Sequence, residues 1–369
     1  MVRPVARRLA VAGMTLLRTY LVMAVLRGVA VVMAVLVAVT VVMELVGQLN
    51  DVGTGDYDLL AALTYVGLRV PRTIFGTLPI GALIGALLSL GNLAVHRELI
   101  VMRASGVSSL QLLSAVGLAG LVLSVLMVLL GESIAPSLGA YAVEMRTRAM
   151  HDQIADANRQ ATWLREGDRI VSLSRRAGDL GYGGGVLLFE LGPDQTLKEL
   201  ASADSADLDD TNRWVLSNYA ETAFEEGGIA VRAERRSNEA HGLNPDLLEL
   251  SVVREDLLGT PSLVRYIGYL QANGLDAHRY LVAYWSRLAS VVSVVVMTVL
   301  ALPFVFGSLR SAGAGARLVV GLIIGLTYYV AGEVLTNGGE VYGLDPLVIA
   351  WAPTAVLLVV TAVAFARVR

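Results

Sequence analysis

The segment from Glu98 to Ser108 reads ELIVMRASGVS and lies between two long apolar runs. An 18-residue run without charged residues, Leu78 to Val95, precedes it, and a 21-residue run, Leu110 to Leu130, follows it. Each run is about long enough to cross the hydrocarbon core of a bilayer as a helix. The segment itself has good helix formers, an acid at its start, and Ser105-Gly106 as a helix stop. The sequence therefore predicts a short helix that connects two membrane spans.

The composition indicates a membrane protein without disulfides and without an ATP-binding loop. Hydrophobic residues make up 55% of the chain, the formal net charge is −3, and there is no cysteine. These values favour a multi-span membrane protein and give no support for nucleic-acid binding. The one lysine, Lys198, follows Leu197, whereas the P-loop needs a lysine after glycine. We expect no catalytic site, no directly bound cofactor and no metal. If this chain takes part in an ATP-driven process, the ATP is used by a separate chain.

Further apolar stretches predict six spans in all. The remaining four spans are expected at about Arg18–Val46, Leu288–Gly307, Leu318–Leu335 and Leu347–Phe365. Ahead of the second crossing, Leu59–Leu68 predicts an interfacial helix that breaks at Pro71. The third span is expected to end near Leu130, with Pro136 opening a new region.

A polar region between the third and fourth spans predicts an inserted β-rich domain. Alternating segments typical of strands occur at Arg169–Ser174, Val186–Leu191, Arg213–Ala220 and Ile229–Arg235. The fold class is therefore an α+β membrane protein. We expect transmembrane helices 1–3 in residues 1–136, with the short connecting helix at 97–108. The β domain is expected in 137–262 and transmembrane helices 4–6 in 263–369.

The arginines predict which side of the membrane each loop occupies. One set of ends and loops holds all of the following: Arg3, Arg7, Arg8, Arg97, Arg103, Arg310, Arg317, Arg367 and Arg369. The opposite short loops, 50–58 and 337–346, hold acids and no lysine or arginine. The positive-inside rule then predicts cytoplasmic termini, a cytoplasmic connecting helix and a periplasmic β domain.

Three stretches carry a resemblance to a known family. These are LPIGALIGALLSLGNLAVHRELIVMRASG (78–106), RYLVAYWSRLASVVSVVVMTVLALPFVFGSLRS (279–311) and GARLVVGLIIGLTYYV (315–330). They resemble the lipopolysaccharide-export ABC permeases of the LptF/LptG type, and FVFGSLRS looks more like LptG. The resemblance implies an inner-membrane permease that extracts lipopolysaccharide, with a periplasmic β-jelly roll. It also implies a related LptF-like permease, a cytoplasmic LptB-like ATPase dimer and a single-span LptC-like bridge protein as partners.

The resemblance identifies the connecting helix as a coupling helix on which the ATPase would dock. Six residues are the candidates for this contact: Glu98, Leu99, Met102, Arg103, Ala104 and Gly106. In helical spacing Leu99, Met102 and Gly106 share one face. The alternative is that this amphipathic helix only joins two spans and lies on the headgroups.

Basic residues near the predicted periplasmic boundary are candidates for binding the phosphates of the lipid. Arg72 and Arg146 match positions where the family has basic residues, and arginine forks suit phosphate. The alternative is interfacial snorkelling. Where family members often have lysines, this chain has Glu44, Asn50 and Asp51. The phosphates could then be held by the two arginines, by the partner permease, or by a divalent cation bridging acid to phosphate.

The resemblance implies that the first and fifth spans form lateral gates to an apolar cavity for the acyl chains, whose burial is favourable. Candidate wall residues are Val35, Val39, Met43, Ile324, Tyr328 and Val334.

Other functions are weaker. Gly53-Thr54-Gly55-Asp56 matches the GxGD pattern of intramembrane proteases, but no span offers a second aspartate, so a turn before the next helix is expected. A permease for another lipid or lipoprotein, or a scaffold that transports nothing, stays open.

Overall fold

A computed structural model describes residues 3–151, 161–166, 168–174, 185–192, 196–208, 214–225, 228–237, 258–307 and 312–368. The helices are α1 Arg3–Gln48, α2 Leu59–Val95, α3 Glu98–Ala104, α4 Ser109–Leu129, α5 Ala135–His151, α6 Thr260–Ala272, α7 His278–Phe306, α8 Ala314–Tyr342 and α9 Pro346–Val368. Six helical segments are long and apolar enough to cross a membrane: Leu16–Gln48, Leu59–Val95, Ser109–Met150, His278–Phe306, Ala314–Gly339 and Pro346–Arg367. The predicted α+β membrane class is confirmed.

The second span differs from its prediction, because α2 is one continuous helix through Pro71 and Pro79. A proline inside a helix removes one N–H donor and costs about 3 kcal/mol. A break in a membrane would leave several backbone groups without partners, and each costs several kcal/mol in hydrocarbon. Threonine hydroxyls add bonds nearby, since Thr73 Oγ1 donates to the Arg69 carbonyl and Thr77 Oγ1 to the Thr73 carbonyl. The prediction of a break at Pro71 was therefore wrong.

The third span also continues beyond its predicted end. A five-residue π-helix, Leu130–Ile134, joins α4 to α5, so the backbone stays helical past Pro136. A Cβ on Gly131, within this π-helix, would overlap the Phe75 ring of α2. The glycine therefore allows the π-helix to pack directly against α2.

The core of the membrane helices is built around α2, with α1 packed against one part of it and α8 against another. Glycines bring α1 close to α2: a Cβ on Gly85 would overlap the Val29 backbone, and a Cβ on Gly28 would lie 2.7 Å from the Gly85 carbonyl oxygen. On the α8 side, a Cβ on Gly325 would lie 2.7 Å from Ile80 Cγ2. Small residues therefore set the helix spacing, as is common in membranes.

The described residues of the inserted region form one antiparallel sheet of seven strands. They are β1 Ala161–Glu166, β2 Arg169–Ser174, β3 Val186–Leu191, β4 Leu197–Ala203, β5 Ser205–Leu208, β6 Trp214–Glu225 and β7 Gly228–Ser237. Pairing runs β1-β2-β3-β4-β6, and β5 and β7 also pair with β6. The four predicted strands are confirmed, β6 and β7 being longer than expected, and β1, β4 and β5 were missed. The jelly roll implied by the resemblance stays a prediction.

Contacts divide the chain into two compact units. The membrane unit comprises Met1–Val52, Asp58–Arg146 and His278–Arg369, and the β unit comprises Gly53–Tyr57 and Thr147–Ala277. Within the β unit one face of the sheet is buried through Val171, Val186, Leu188, Ala201, Ala203, Leu216 and Tyr219. The GxGD segment is a turn, as expected. The residue that caps α2 is Asp58, whose Oδ1 accepts from the Ala61 N–H at 2.7 Å.

Candidate functional site: a paired arginine cluster and a short connecting helix

Two arginines and two acids of the membrane unit meet around the ring of Tyr65. Arg69 Nη1 lies 2.7 Å from Glu44 Oε1 and donates to the Tyr65 hydroxyl at 3.0 Å. Arg146 Nη2 lies 2.6 Å from Asp51 Oδ2. The guanidinium carbons of Arg69 and Arg146 lie 5.4 Å and 5.5 Å from the centre of the Tyr65 ring. We call these five residues the Tyr65 cluster.

The elements of the cluster explain its geometry. Tyr65 and Arg69 are four residues apart on α2, so they lie on the same face of that helix. Tyr65 is 4% exposed and packs with Val66 and Ala142 in a small apolar core. The ring is therefore fixed, and both guanidinium groups lie over a rigid aromatic surface, an arrangement that attracts cations.

The charges of the cluster compensate each other. Each guanidinium has its own carboxylate, and the four charged side chains are all part-buried, with 18–35% of each exposed. Arg146 Nε is buried and has no acceptor among the residues that the structure describes. An added phosphate would therefore meet one spare buried donor on Arg146, and it would compete with Asp51 for the rest of that guanidinium.

The sequence analysis found part of this site. Of the substrate candidates, Arg146 and Glu44 are in the Tyr65 cluster, while Arg72 lies one turn further along α2 and is half-buried. Sequence reasoning missed Tyr65 and the pairing of each acid with an arginine. The spacing of Tyr65 and Arg69 could have indicated the stacked pair. Among the described residues, no group of three or more His, Asp or Glu side chains is arranged to hold a metal ion.

Of the apolar residues predicted to line the lipid cavity, those on α1 are exposed, whereas two of those on α8 face inward. Val35, Val39 and Met43 follow one another at four-residue spacing on an exposed face of α1, and Met43 is 70% exposed. Nearer the start of α1, Leu21, Val25, Val29 and Met33 are buried in the core. Helix α1 thus presents a continuous apolar face outward.

On α8, Ile324 and Tyr328 face inward. Both pack against the core, and the Tyr328 hydroxyl lies 3.2 Å from Thr354 Oγ1 of α9. Val334 is 63% exposed. Further residues on the outward face of α8 are Leu322, Ile323, Leu326, Tyr329 and Val330. The structure therefore places Ile324 and Tyr328 behind the apolar surface that the sequence analysis expected them to form.

The connecting helix α3 ends as its sequence indicates. Gly106 has φ +93°, its N–H donates to the Arg103 carbonyl, and the Val107 N–H donates to the Met102 carbonyl. These two bonds form a Schellman motif, which favours glycine at the left-handed position. The next helix starts at once, because Ser108 and Gln111 form a capping box. The chain therefore makes a rigid turn between two spans.

The coupling candidates divide between the inside and the outside of α3. Leu99 and Met102 are buried in the helical core, so they anchor α3 and do not face a partner. Arg103, Ala104 and Gly106 are exposed. Sequence reasoning missed Ile100 and Val101, which are exposed and apolar. A cavity of about 410 Å³ lies beside α3, lined by Ala94, Leu99, Ile100, Arg103, Ala104, Val305 and Phe306.

Two polar contacts join α3 to the spans around it. The Tyr20 hydroxyl of α1 donates to Glu98 Oε2 at 2.7 Å. The Arg103 guanidinium carbon lies 5.5 Å from the centre of the Phe306 ring at the end of α7. A displacement of α3 would therefore act on α1 and α7 directly.

In the described part of the chain, six candidate spans and an inserted β domain define a multi-span membrane protein. A family model described as lipopolysaccharide export system permease LptF/LptG matches residues 19–367. The chain is 33% identical to the permease protein LptG of the lipopolysaccharide export system from Escherichia coli K12, over 85% of this chain and 87% of the relative. It is 31% identical to the LptG protein of Haemophilus influenzae, over 86% and 88%. The chain belongs to the LptF/LptG family of lipopolysaccharide export permeases.

Proposed function

We propose that this chain is a permease subunit that exports lipopolysaccharide from the bacterial inner membrane. The observation that carries the proposal is the family match across residues 19–367, which covers nearly all of the six spans and both sites. The match to relatives named LptG along most of their length supports the same function.

The cargo would bind at the Tyr65 cluster and along α1. Lipopolysaccharide joins acidic phosphates to acyl chains, so it needs cations at headgroup level and apolar surface beside them. Arg146 would bind a phosphate by exchanging it for the Asp51 carboxylate, with its spare Nε donor and Arg72 assisting. The acyl chains would lie on the face formed by Val35, Val39 and Met43, where burial needs no directional partner. Ile324 and Tyr328 would support α8 from behind.

ATP would be hydrolysed by a separate cytoplasmic ATPase dimer. Its docking surface on this chain would be the outward side of α3 with Ile100, Val101, Arg103 and Ala104, together with the adjoining cavity. Leu99 and Met102 would hold α3 in the core, and Gly106 would fix its end. Closure of the ATPase would move α3, and the bond between Glu98 and Tyr20 would carry this movement to α1.

The remaining partners follow from the family. We propose a second, LptF-like permease beside this one and a single-span LptC-like bridge protein that receives the lipid. The distribution of arginines supports cytoplasmic termini, a cytoplasmic α3 and a periplasmic β unit.

The cargo site is tested by two substitutions in one ion pair. The assembly is purified with Arg146→Glu or with Asp51→Asn, and the lipopolysaccharide retained per chain is measured. Arg146→Glu should reduce retention by about tenfold, because it removes a charge-assisted contact to phosphate. Asp51→Asn should raise retention about threefold or more, because it removes the competing carboxylate.

Both substitutions break the same ion pair, so a purely structural role would lower retention in both. That result would contradict the cargo site. The transport function itself is checked separately, since the purified assembly should hydrolyse ATP faster when lipopolysaccharide is added. An assembly without such stimulation would instead support a scaffold.

A further inference from the structure

Arg317, in the first turn of α8, is a buried cation without an acceptor among the described residues. It is 2% exposed, and its Nε and Nη2 atoms are buried and make no hydrogen bond. No carboxylate in the described part of the chain pairs with it. A guanidinium stays protonated in proteins, and a buried charge without a counter-charge is costly. The side chain therefore needs an acceptor from outside the described chain.

The side chain is held where it can meet such an acceptor. A Cβ on Gly91, in the last turns of α2, would overlap Nε, Cδ and Cζ of Arg317. The glycine thus provides the space in which the guanidinium lies. Because helical side chains lean toward the N-terminus, Arg317 reaches back to the level of the first turn of α8.

The backbone at the start of α8 adds donors at this place. The N-cap, Gly313, has no side chain to cap the helix, and the first intrahelical bond runs from the Arg317 N–H to the Gly313 carbonyl. The N–H groups of Ala314, Gly315 and Ala316 therefore have no intrahelical partner. These residues are exposed, and no atom lies within 4 Å of a Cβ built on Gly313 or Gly315.

We infer that Arg317 and the first turn of α8 bind the phosphate of an anionic phospholipid. Backbone donors at a helix N-terminus and an arginine fork together suit phosphate. The source is a lipid because the next outward residues, Leu318, Val319 and Leu322, are apolar and exposed, and offer a surface for acyl chains. This extends the proposed function to a lipid other than the cargo.

The position separates this site from the Tyr65 cluster. Gly91 and Arg69 lie on the same helix, about 33 Å apart at a rise of about 1.5 Å per residue. That distance spans the hydrocarbon core of a bilayer. The phospholipid therefore belongs to the opposite leaflet, which the proposed orientation makes cytoplasmic.

Binding is measured on the full-length chain in a neutral detergent. Short-chain phosphatidylglycerol, phosphatidylcholine of equal chain length, and inorganic phosphate are titrated separately, with the thermal unfolding temperature and retained lipid as readouts. The wild type should bind phosphatidylglycerol at least about tenfold more tightly than the other two. Equal stabilisation by inorganic phosphate would overturn the lipid assignment, and no preference over phosphatidylcholine would overturn the site.

Three variants locate the effect. Arg317→Gln removes the charge, and Gly91→Ala keeps the charge but displaces the guanidinium, so each should weaken phosphatidylglycerol binding about tenfold. Arg367→Gln, in the last turn of α9 at the same membrane surface, is the matched control and should bind as the wild type does. Equal weakening by all three would show general surface charge and contradict the proposal. Gly91→Ala decides the matter even if Arg317→Gln does not fold.

Discussion

At the start of α2, Arg69 is paired with Glu44 and stacked on Tyr65. Near its end, Arg317 of α8 lies against Gly91 with no acceptor among the described residues. The same residue type thus stands toward both ends of α2 in opposite electrostatic states. A paired cation keeps its shape without a ligand, but a new anion must displace the carboxylate. An unpaired buried cation lowers stability, and an anion that binds it restores that stability.

The largest expected effect tests the close packing of α1 against α2, the helix whose two ends are compared here. Gly85→Ala should destabilise the membrane unit by about 2–3 kcal/mol, because its Cβ would overlap backbone atoms of Val29, which cannot rotate away. Thermal unfolding of the full-length chain in detergent measures it. Gly76→Ala, on the same helix with no atom within 4 Å of its Cβ, is the matched control. It should be neutral or stabilising by up to about 1 kcal/mol, and equal loss in both variants would refute close packing as the cause.

A double-mutant cycle on Glu44 and Arg69 tests the paired end. Each of Glu44→Gln and Arg69→Gln should cost about 1–3 kcal/mol, since each leaves a part-buried charge without its partner. The double variant should cost less than the sum, with a coupling of about 1 kcal/mol or more. Simple additivity in thermal unfolding would show that the pair does not interact.

Substitution of Arg317, the arginine without an acceptor among the described residues, should not destabilise the protein as substitution of Arg69 does. Without added lipid, Arg317→Gln should leave the unfolding temperature unchanged or raise it, because it removes an uncompensated buried charge. A fall in unfolding temperature as large as that of Arg69→Gln would mean that Arg317 is stabilised by a partner as Arg69 is. The contrast between a paired and an unpaired arginine would then be refuted.

The smallest expected effect concerns Glu199 of the β unit. Its carboxylate, like the Arg317 guanidinium, is a charge that its surroundings disfavour. Burial, followed by the charges of Glu221 and Glu190, raises the pKa of Glu199 above its ordinary value. A raised carboxyl pKa means that stability is highest at low pH and falls as pH rises through the folded pKa. Glu199→Gln should therefore stabilise the β unit at pH 7 by less than about 1 kcal/mol, because Glu199 is only half-buried and solvent screens its charge.

The gain should vanish at acidic pH, where the wild-type carboxyl is also neutral. Unfolding is followed by the fluorescence of Trp163 and Trp214 in a full-length chain with Trp285→Phe and Trp351→Phe. Glu190→Gln is the control, because Glu190 accepts from Arg169 at 2.9 Å and should lose stability when neutralised. A gain from Glu199→Gln that persists at acidic pH would exclude charge as its cause.

Local signals in the sequence predicted the parts of the structure that depend on local physics. The number and approximate position of the spans follow from hydrophobicity. The end of α3 follows from a glycine that adopts positive φ. The prediction of a break at Pro71 was wrong because helix propensities apply to helices in water. In hydrocarbon an unbroken series of backbone hydrogen bonds is favoured, since unpaired backbone groups are costly there. Periodicity placed Leu99 and Met102 on one face, but it cannot tell which face meets the core. That depends on neighbours distant in sequence.

The candidate site was less predictable for a similar reason. Arg146 and Asp51 are far apart in sequence, and only the packing of three chain segments brings them within 2.6 Å. The exposed face of α1 was predictable in composition, whereas the inward direction of Ile324 and Tyr328 depends on where α9 packs.

The π-helix at Leu130–Ile134 determines the direction in which Arg146 points. If the same residues were wound as a regular α-helix, everything downstream would turn by about 100°. Arg146 would then point away from Asp51, although no side chain of the ion pair had changed. One wide turn, about three turns of helix before the arginine, therefore fixes its azimuth.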